Sequence, residues 1–269
     1  MNLDRYLERI GYQGTASPTA DRTALEWLMK THVNAVTFEN LNQQLGRPVS
    51  MDLQSTFDKV VEEHRGGWCF ELNSLFAWAL EQLGFEVQIL PGLVGRQEGA
   101  PLVADHMLLR VDLDQPYLVD VGFGGGLAQP IPLQTGTDLQ APYKVSVQVL
   151  GDGYVRYGEQ VGDKTATYDF SLEPVDVDHF EGACHRLQTD PESPFLRTLT
   201  AQRRDGDQHL VLRGLVLRRI GRDTAEETVF TSAAQLVDCL KHTFGLDVPE
   251  VSTIWPTLLQ RHEELFGAH

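Results

Sequence analysis

The stretch Arg65-Gly66-Gly67-Trp68-Cys69-Phe70-Glu71-Leu72-Asn73 joins a pair of glycines to the start of an apolar-periodic run. Leu72, Leu75, Phe76, Ala79, Leu80 and Leu83 then step at i, i+3, i+4, i+7, i+8 and i+11, the spacing of one buried helix face. Gly84 supplies a C-terminal stop, so the spacing predicts a helix from about Cys69 to Leu83. Cys69 precedes Leu72 by one helical step and shares its inward face. It also occupies the first turn, where unpaired N–H groups and the helix dipole favour an anion. A thiol so placed gains thiolate character, the form that attacks carbonyl carbon. Gly66-Gly67 lets the backbone turn sharply and leaves space beside the sulfur. The plain alternative is a buried core cysteine, with the glycines merely ending the preceding helix. Glu71 and Asn73 weigh against it, because a structural helix start needs only one polar cap.

Upstream of this stretch the chain reads as helices. Leu3, Tyr6, Leu7 and Ile10 recur at helical spacing until Gly11 and Gly14. Leu25, Leu28, Met29 and His32 mark a second helix, and Leu53, Phe57, Val60 and Val61 a third. Downstream of Gly84 the period changes. Segments 86–90, 107–113, 117–121, 143–150, 154–157 and 167–171 read as short strands separated by Gly, Pro and Asp clusters, as in a barrel or sandwich. The last third is mixed: a hairpin of 209–213 and 215–219 around Gly214, then helices near 233–244 and 256–266. Asp190-Pro191-Glu192-Ser193-Pro194 is the best boundary before this final segment.

A thiolate nucleophile needs a base, and the base needs an orienting group. Asp105-His106-Met107-Leu108-Leu109-Arg110-Val111 is an apolar-rich strand with a histidine near its start. Tyr117-Leu118-Val119-Asp120-Val121-Gly122 is another, with an aspartate inside an apolar run. Asp112 to Pro116 supplies the turn between them. A turn centred on residue 113 sets His106 opposite Asp120, and a centre on 114 makes them diagonal neighbours. Either register leaves both side chains on one face, within reach of each other. A strand-end surface histidine is the plain alternative for His106. Asp120, flanked by Leu118, Val119 and Val121, is expected to be partly buried and so to need a partner. Cys69, His106 and Asp120 thus form a candidate activated-thiol triad.

Composition narrows the function class. Apolar residues make up 42% and charged residues 22% of the 269, a globular balance. The 22 Lys+Arg against 38 Asp+Glu give a net charge of −16, which disfavours a general nucleic-acid or anionic-membrane binder. It leaves room for a small anionic ligand in a local pocket. No segment approaches the roughly 18 consecutive apolar residues of a membrane span. Met1-Asn2-Leu3-Asp4-Arg5 has no apolar core, so no secretory signal is expected. Three cysteines without a C-x-x-C pair argue against a disulfide framework and a cysteine zinc site, and point to a reducing cytoplasm. The histidines are scattered and His262-Glu263 lacks a second histidine at metalloprotease spacing, so no metal is expected. There is no Walker-type phosphate loop and no G-x-S-x-G elbow, and Gly122-Phe123-Gly124 lacks the third glycine of a dinucleotide fingerprint.

At these residues the sequence resembles the arylamine N-acetyltransferase family. The Arg-Gly-Gly-x-Cys-x-Glu-x-Asn signature stands at Arg65, Gly66, Gly67, Cys69, Glu71 and Asn73. Thr37-Phe38-Glu39-Asn40-Leu41 resembles the family's Pro-Phe-Glu-Asn-Leu element, with threonine in place of proline. Tyr6 to Tyr12 resembles its N-terminal helix. Asp105-His106-Met107 and Val119-Asp120-Val121-Gly122-Phe123-Gly124 match its histidine and aspartate blocks. Pro191-Glu192-Ser193-Pro194-Phe195 resembles its Pro-x-Ser-x-Phe block. Trp68 fills a variable position beside the cysteine, where it is expected to narrow the site, and Cys184 stands where an asparagine is expected.

The resemblance implies an α+β chain of three parts with a cysteine-protease-like Cys-His-Asp core. These are a helical bundle carrying the nucleophile (1–84), a β-barrel carrying His106 and Asp120 (85–190) and an α/β lid (191–269). It implies acetyl-CoA as cosubstrate and arylamines, arylhydrazines or N-hydroxyarylamines as acceptors, with Cys69 as nucleophile, His106 as base and Asp120 as orienter. By the same analogy Glu39 and Arg65 form an ion pair bracing the cysteine loop, a direct functional role being the other reading, and Phe38 and Phe123 wall the aromatic acceptor, plain core packing being the alternative for either. Gly124-Gly125-Gly126 could bring backbone N–H groups to a pyrophosphate, which the resemblance places near this loop; a barrel corner needing only flexibility is the other reading. A thiol hydrolase, an amide synthase of the same fold, and a non-catalytic binding module are the rival classes.

Overall fold

The computed structural model describes residues 1–12 and 18–266. Gly14, expected to help stop the first helix, lies outside them. Helix α1 (Leu3–Arg9) ends before Gly11, whose φ of +88° suits glycine. Next come α2 (Arg22–Ala35), the two-residue strand β1 (Phe38–Glu39), α3 (Leu41–Gln44) and α4 (Leu53–Phe57). The last widens into a π-helical turn, Asp58–Glu62, which buries Lys59, Val60 and Val61 together. Helix α5 (Cys69–Gln82) follows, and Gly84 at φ +86° ends it as expected.

The spacing in α5 suggested one apolar face. The helix is instead buried nearly all round through Ala77, including Phe70, Asn73 and Ser74. It is a central helix with α4 against one side and barrel strands against the other. Those strands are β2 (Glu86–Val94), β3 (His106–Asp112), β4 (Pro116–Val119), β5 (Ile131–Pro132), β6 (Gly136–Gln140), β7 (Tyr143–Val149), β8 (Val155–Val161) and β9 (Lys164–Phe170). They pair antiparallel in the order β5-β4-β3-β2-β9-β8-β7-β6, forming a nearly closed barrel. Helices and barrel share one hydrophobic core, from Tyr6 to Leu187.

After α6 (Glu181–Thr189) and α7 (Pro194–Arg197) the chain builds a second sheet from β10 (Thr200–Asp205), β11 (Gln208–Arg213), β12 (Val216–Ile220) and β13 (Ala225–Val229). Gly214, at φ +59°, turns the hairpin predicted around it. Helices α8 (Ala233–Phe244) and α9 (Trp255–Phe266) complete the fold, and a second core gathers Leu41 with residues 199–258. β1 forms one edge of this sheet, pairing Phe38 with Gln202 and Glu39 with Ala201. The segment of the cysteine-bearing third that carries Phe38 is thus fastened to the last third of the chain. Among the described residues no helix is long and apolar enough to cross a membrane.

Candidate active site

Cys69 is the first residue of α5 and is buried. Two buried ion pairs hold the loop that precedes it. Arg65 donates through Nη2 to Glu39 Oε1 at 2.8 Å, the pair expected from the sequence. Lys59 Nζ donates to both Glu71 oxygens at 2.8 and 2.9 Å, and Glu71 Oε2 also accepts from the Trp68 N–H. Lys59 carried no sequence signal, standing beside Asp58 between Phe57 and Val60. Burial opposes the Glu39 charge, but Lys59, Arg65 and the Leu41 N–H outweigh it and bring the carboxyl below its ordinary value.

The glycine pair serves close approach more than turning. Gly67 bridges to Phe38 of β1, and the Glu39 N–H donates to Gly67 O at 2.8 Å. A Cβ on Gly66 would overlap the Thr37 carbonyl oxygen and crowd the Glu39 side chain. Gly66→Ala is therefore expected to cost about 3 kcal/mol by overpacking, which for a chain of this size lowers Tm by roughly 6–12 °C. Calorimetry of the variant checks this, and an unchanged Tm would mean that β1 retreats freely.

His106 opens β3 and Asp120 follows the last residue of β4. Leu109 pairs with Val119 and Arg110 with Leu118, so the hairpin is centred on residue 114 and the two side chains are diagonal neighbours. His106 Nε2 and Asp120 Oδ2 lie 2.7 Å apart, both groups buried. The second carboxylate oxygen accepts from Asn73 Nδ2 at 2.9 Å and from the Gly122 N–H at 2.8 Å. Asn73 also donates to Met107 O and accepts from the Val121 N–H, tying α5 to both strands of the hairpin. This is what the second polar residue of the helix start does. Gly122 must lack a side chain, because a Cβ there would meet Asn73 Nδ2 at 2.6 Å and the Cys69 Cα at 2.7 Å.

Burial opposes a charge on His106. The Asp120 carboxylate and its hydrogen bond outweigh burial, the Cys69 sulfur adds to them, and the ring is pushed up to about 10. Burial likewise works against the Asp120 charge, but His106, Asn73 and the Gly122 N–H hold the carboxyl below its usual range. The arrangement stabilises an imidazolium beside a sulfur.

Cys69 and His106 open onto a cleft of about 460 Å³ whose aromatic walls are Phe38, Phe123 and Phe195. Phe123 packs edge-on to His106 at 5.4 Å between ring centres, and Tyr168 lies 4.8 Å from the same imidazole. Phe195, quoted in a sequence motif but given no role there, joins the expected Phe38 and Phe123. Trp68 does not line the cleft. It is fully buried behind Phe195, ring to ring at 5.1 Å, so it supports the wall without narrowing the opening. Cys184 is buried in α6, where Gln188 Nε2 donates to its sulfur.

The glycine run has a different placement from the aromatic residues. Gly124, Gly125 and Gly126 are not among the residues lining the cleft. Gln202 covers Gly124, His209 and Arg204 cover Gly125, and the Glu159 carboxyl lies against Gly126. His209 is buried and uncharged, its value driven down to about 3 by burial and the nearby Arg204. Its Nε2 donates to Gly124 O at 2.6 Å, while Nδ1 accepts from the Tyr143 hydroxyl at 2.7 Å. The run is a packed corner where neighbouring side chains leave no room for a Cβ at Gly124 or Gly126 and crowd one at Gly125.

The profile of the N-acetyltransferase family matches residues 21–253. An arylamine N-acetyltransferase of Mycolicibacterium smegmatis is 37% identical over 265 residues, covering 94% of each chain. The chain belongs to the arylamine N-acetyltransferase family. By that membership it is an acyltransferase. The mouse arylamine N-acetyltransferase 1 is 31% identical over 92% of this chain and 95% of its own. The structure of the Mycobacterium marinum arylamine N-acetyltransferase in complex with CoA superimposes with a TM-score of 0.86 at 30% identity, covering 98% of this chain and 99% of that one. The threonine that departs from the family's Pro-Phe-Glu-Asn-Leu element has its own contact here: Thr37 Oγ1 donates to Phe244 O at 2.8 Å. A proline could not make that bond.

Proposed function

We propose that the cleft moves an acetyl group from acetyl-CoA, through a Cys69 thioester, to arylamines, arylhydrazines or N-hydroxyarylamines. The observation that carries this reading is that His106, paired with Asp120 at 2.7 Å, opens together with Cys69 onto one aromatic-walled cleft. The CoA complex of a structural relative supports the donor. The Cys69 thiolate attacks the thioester carbonyl, the carbon–sulfur bond to CoA breaks, and the departing thiolate takes the proton from the His106 imidazolium. CoA leaves and the amine enters between Phe38 and Phe123. Its nitrogen attacks the acetyl carbonyl, neutral His106 accepts the amine proton, and Cys69 leaves as thiolate, which restores the starting ion pair. Asp120 holds the imidazole through Nε2 and steadies its positive form.

Two measurements test the scheme. Initial rates at varied acetyl-CoA and amine are expected to give parallel double-reciprocal lines, because CoA departs before the amine reacts. Iodoacetamide is expected to inactivate the enzyme by labelling Cys69, and prior incubation with acetyl-CoA to protect it, because the acetyl group then occupies the sulfur. Intersecting lines, together with labelling that acetyl-CoA does not slow, would overturn the covalent route. A thiol hydrolase would release acetate rapidly without any amine, and an acceptor-free assay separates that reading. A cytoplasmic setting suits three cysteines that are all free.

A further inference from the structure

The barrel wall of the cleft carries a carboxyl group that neither the triad nor its braces use. Val155, Tyr157 and Glu159 alternate along β8 and place their side chains on one face. Tyr157 lies flat on Tyr168 at 4.8 Å and meets Phe123 edge-on at 6.1 Å, so this face continues the aromatic layer against His106. Glu159 stands two residues further along the strand, about 7 Å on, and lines the cleft with Cys69, His106 and Phe123. The Tyr157 hydroxyl donates to Glu159 Oε2 at 3.1 Å, and no other hydrogen bond to the carboxyl is made among the described residues. The carboxyl reaches this position because Gly126 has no side chain: a Cβ there would overlap Oε2. Across the cleft stand aromatic rings, with Arg213 exposed on the C-terminal sheet.

We infer that Glu159 sets acceptor selectivity: its carboxylate favours aromatic amines and hydrazines that carry a cationic or hydrogen-bond-donating group opposite the reacting nitrogen, and disfavours those that carry a carboxylate there. The inference rests on the acetyl-transfer reading above. A ring held between Phe38 and Phe123 with its nitrogen at Cys69 extends its far end along the barrel wall, toward Glu159. In a cleft partly shielded from water, opposite charges attract and like charges repel far more strongly than in solution. Burial, with the Asp120 charge adding to it, pushes the Glu159 carboxyl up to about 7, against Tyr157 and Arg204, which pull it down. Asp105, His106 and Arg213 are the other charged or titratable groups around the cleft apart from Cys69. The site is therefore tested at about pH 8, where the carboxylate is charged.

The test compares the wild type with Glu159→Gln, which keeps shape and an acceptor for Tyr157 but removes the charge. Acetyl-CoA-dependent kcat/KM is measured for para-aminobenzylamine (cationic), para-aminobenzoate (anionic) and para-toluidine (neutral reference). Relative to para-toluidine, the variant is expected to gain about tenfold toward para-aminobenzoate and to lose about tenfold toward para-aminobenzylamine, each equivalent to about 1.4 kcal/mol. Unchanged ratios, or both moving the same way, overturn the inference. A second arm needs no turnover. Cys69 is labelled with methanethiosulfonates bearing a sulfonate or a trimethylammonium group, and labelling is mapped by peptide mass. The sulfonate-to-trimethylammonium rate ratio is expected to rise severalfold in the variant, and an unmoved ratio counts against Glu159. If the wild type acetylates no amine while this ratio shifts, the acetyl-transfer reading fails and the electrostatic role of Glu159 at the thiol's approach stands.

Discussion

Cys69→Ser is expected to abolish acetyl transfer and leave the fold intact. The hydroxyl of serine stays protonated near neutral pH, so it cannot hold an ion pair with His106 or attack a thioester as an anion. Loss of a nucleophile that works as part of a unit costs on the order of 10⁶ in kcat. The side chain differs by a single atom at a buried position, so Tm is expected to stay close to that of the wild type. Incubation of the wild type with acetyl-CoA alone is expected to add one acetyl mass to the peptide that contains Cys69, and none to the variant. Acetylation at Cys184 or Cys239 would sink the assignment. Burial pushes the Cys184 thiol up to about 12 and raises that of Cys239, so neither competes as a nucleophile.

Asp120→Asn is expected to lower kcat by about 10⁴, the loss seen when a serine-protease triad loses its orienting carboxylate. Asparagine can still accept from Gly122 and Asn73, but it cannot stabilise an imidazolium, and its NH₂ group can turn the ring into the wrong tautomer. The stability effect has a defined pH window. The folded value of His106 stands above the ordinary 6.5, so its pairing with Asp120 stabilises the fold fully below about 6.5 and loses that contribution as pH rises through about 10. The Asp120 carboxyl is lowered, so its side of the pair is present above its ordinary 3.8 and lost as pH falls through the folded value. The Tm gap between wild type and variant is therefore expected to be widest between about pH 4 and 6.5 and to close toward pH 10. Breaking one side of a buried pair costs on the order of 3 kcal/mol. Near-normal turnover in the variant would mean that Asp120 does not orient His106.

Much of this architecture is legible in the chain because a few residues break the rule of their surroundings. Asp120 sits in an apolar run where only a partner makes burial tolerable. Cys69 sits where a helix begins, with the glycines placed for β1 to lie against them. The hairpin left two registers open, and the positions of Val119 and Leu118 against Leu109 and Arg110 select the one centred on 114. Other elements carry too little pattern to read. β1 has only two residues, β13 is exposed at every position, and β6 is exposed except at Gln140. β10 and α6 were missed as well. In β10 the buried residues Ala201 and Arg204 stand three apart, on opposite faces, so no alternation marks the strand and a charged residue such as Arg204 reads as solvent-facing. Glu159 escaped for the same reason: an acid following Val155 and Tyr157 in strand phase looks like the end of the buried face, although it continues it.

The attachment of β1 to the far end of the chain has a consequence for the order in which activity is acquired. Every buried residue of the first core lies before residue 188, and that core includes Cys69, with His106 at the start of β3 and Asp120 just past β4. The wall opposite Phe123 has no such independence. Phe38 bridges locally to Gly67 but gains its antiparallel neighbour in β10, and the Thr37 hydroxyl finds its acceptor at Phe244, 207 residues away. Such distant closures are slow steps in folding. A ribosome thus releases the proposed triad well before the segments that complete this wall of the cleft. Loss of the last two helices to a premature stop leaves the trio encoded while removing the Phe244 carbonyl that anchors Thr37, next to Phe38. The pairing of β1 with β10 is thus expected to be a late event in folding, one that follows the first core and completes the cleft.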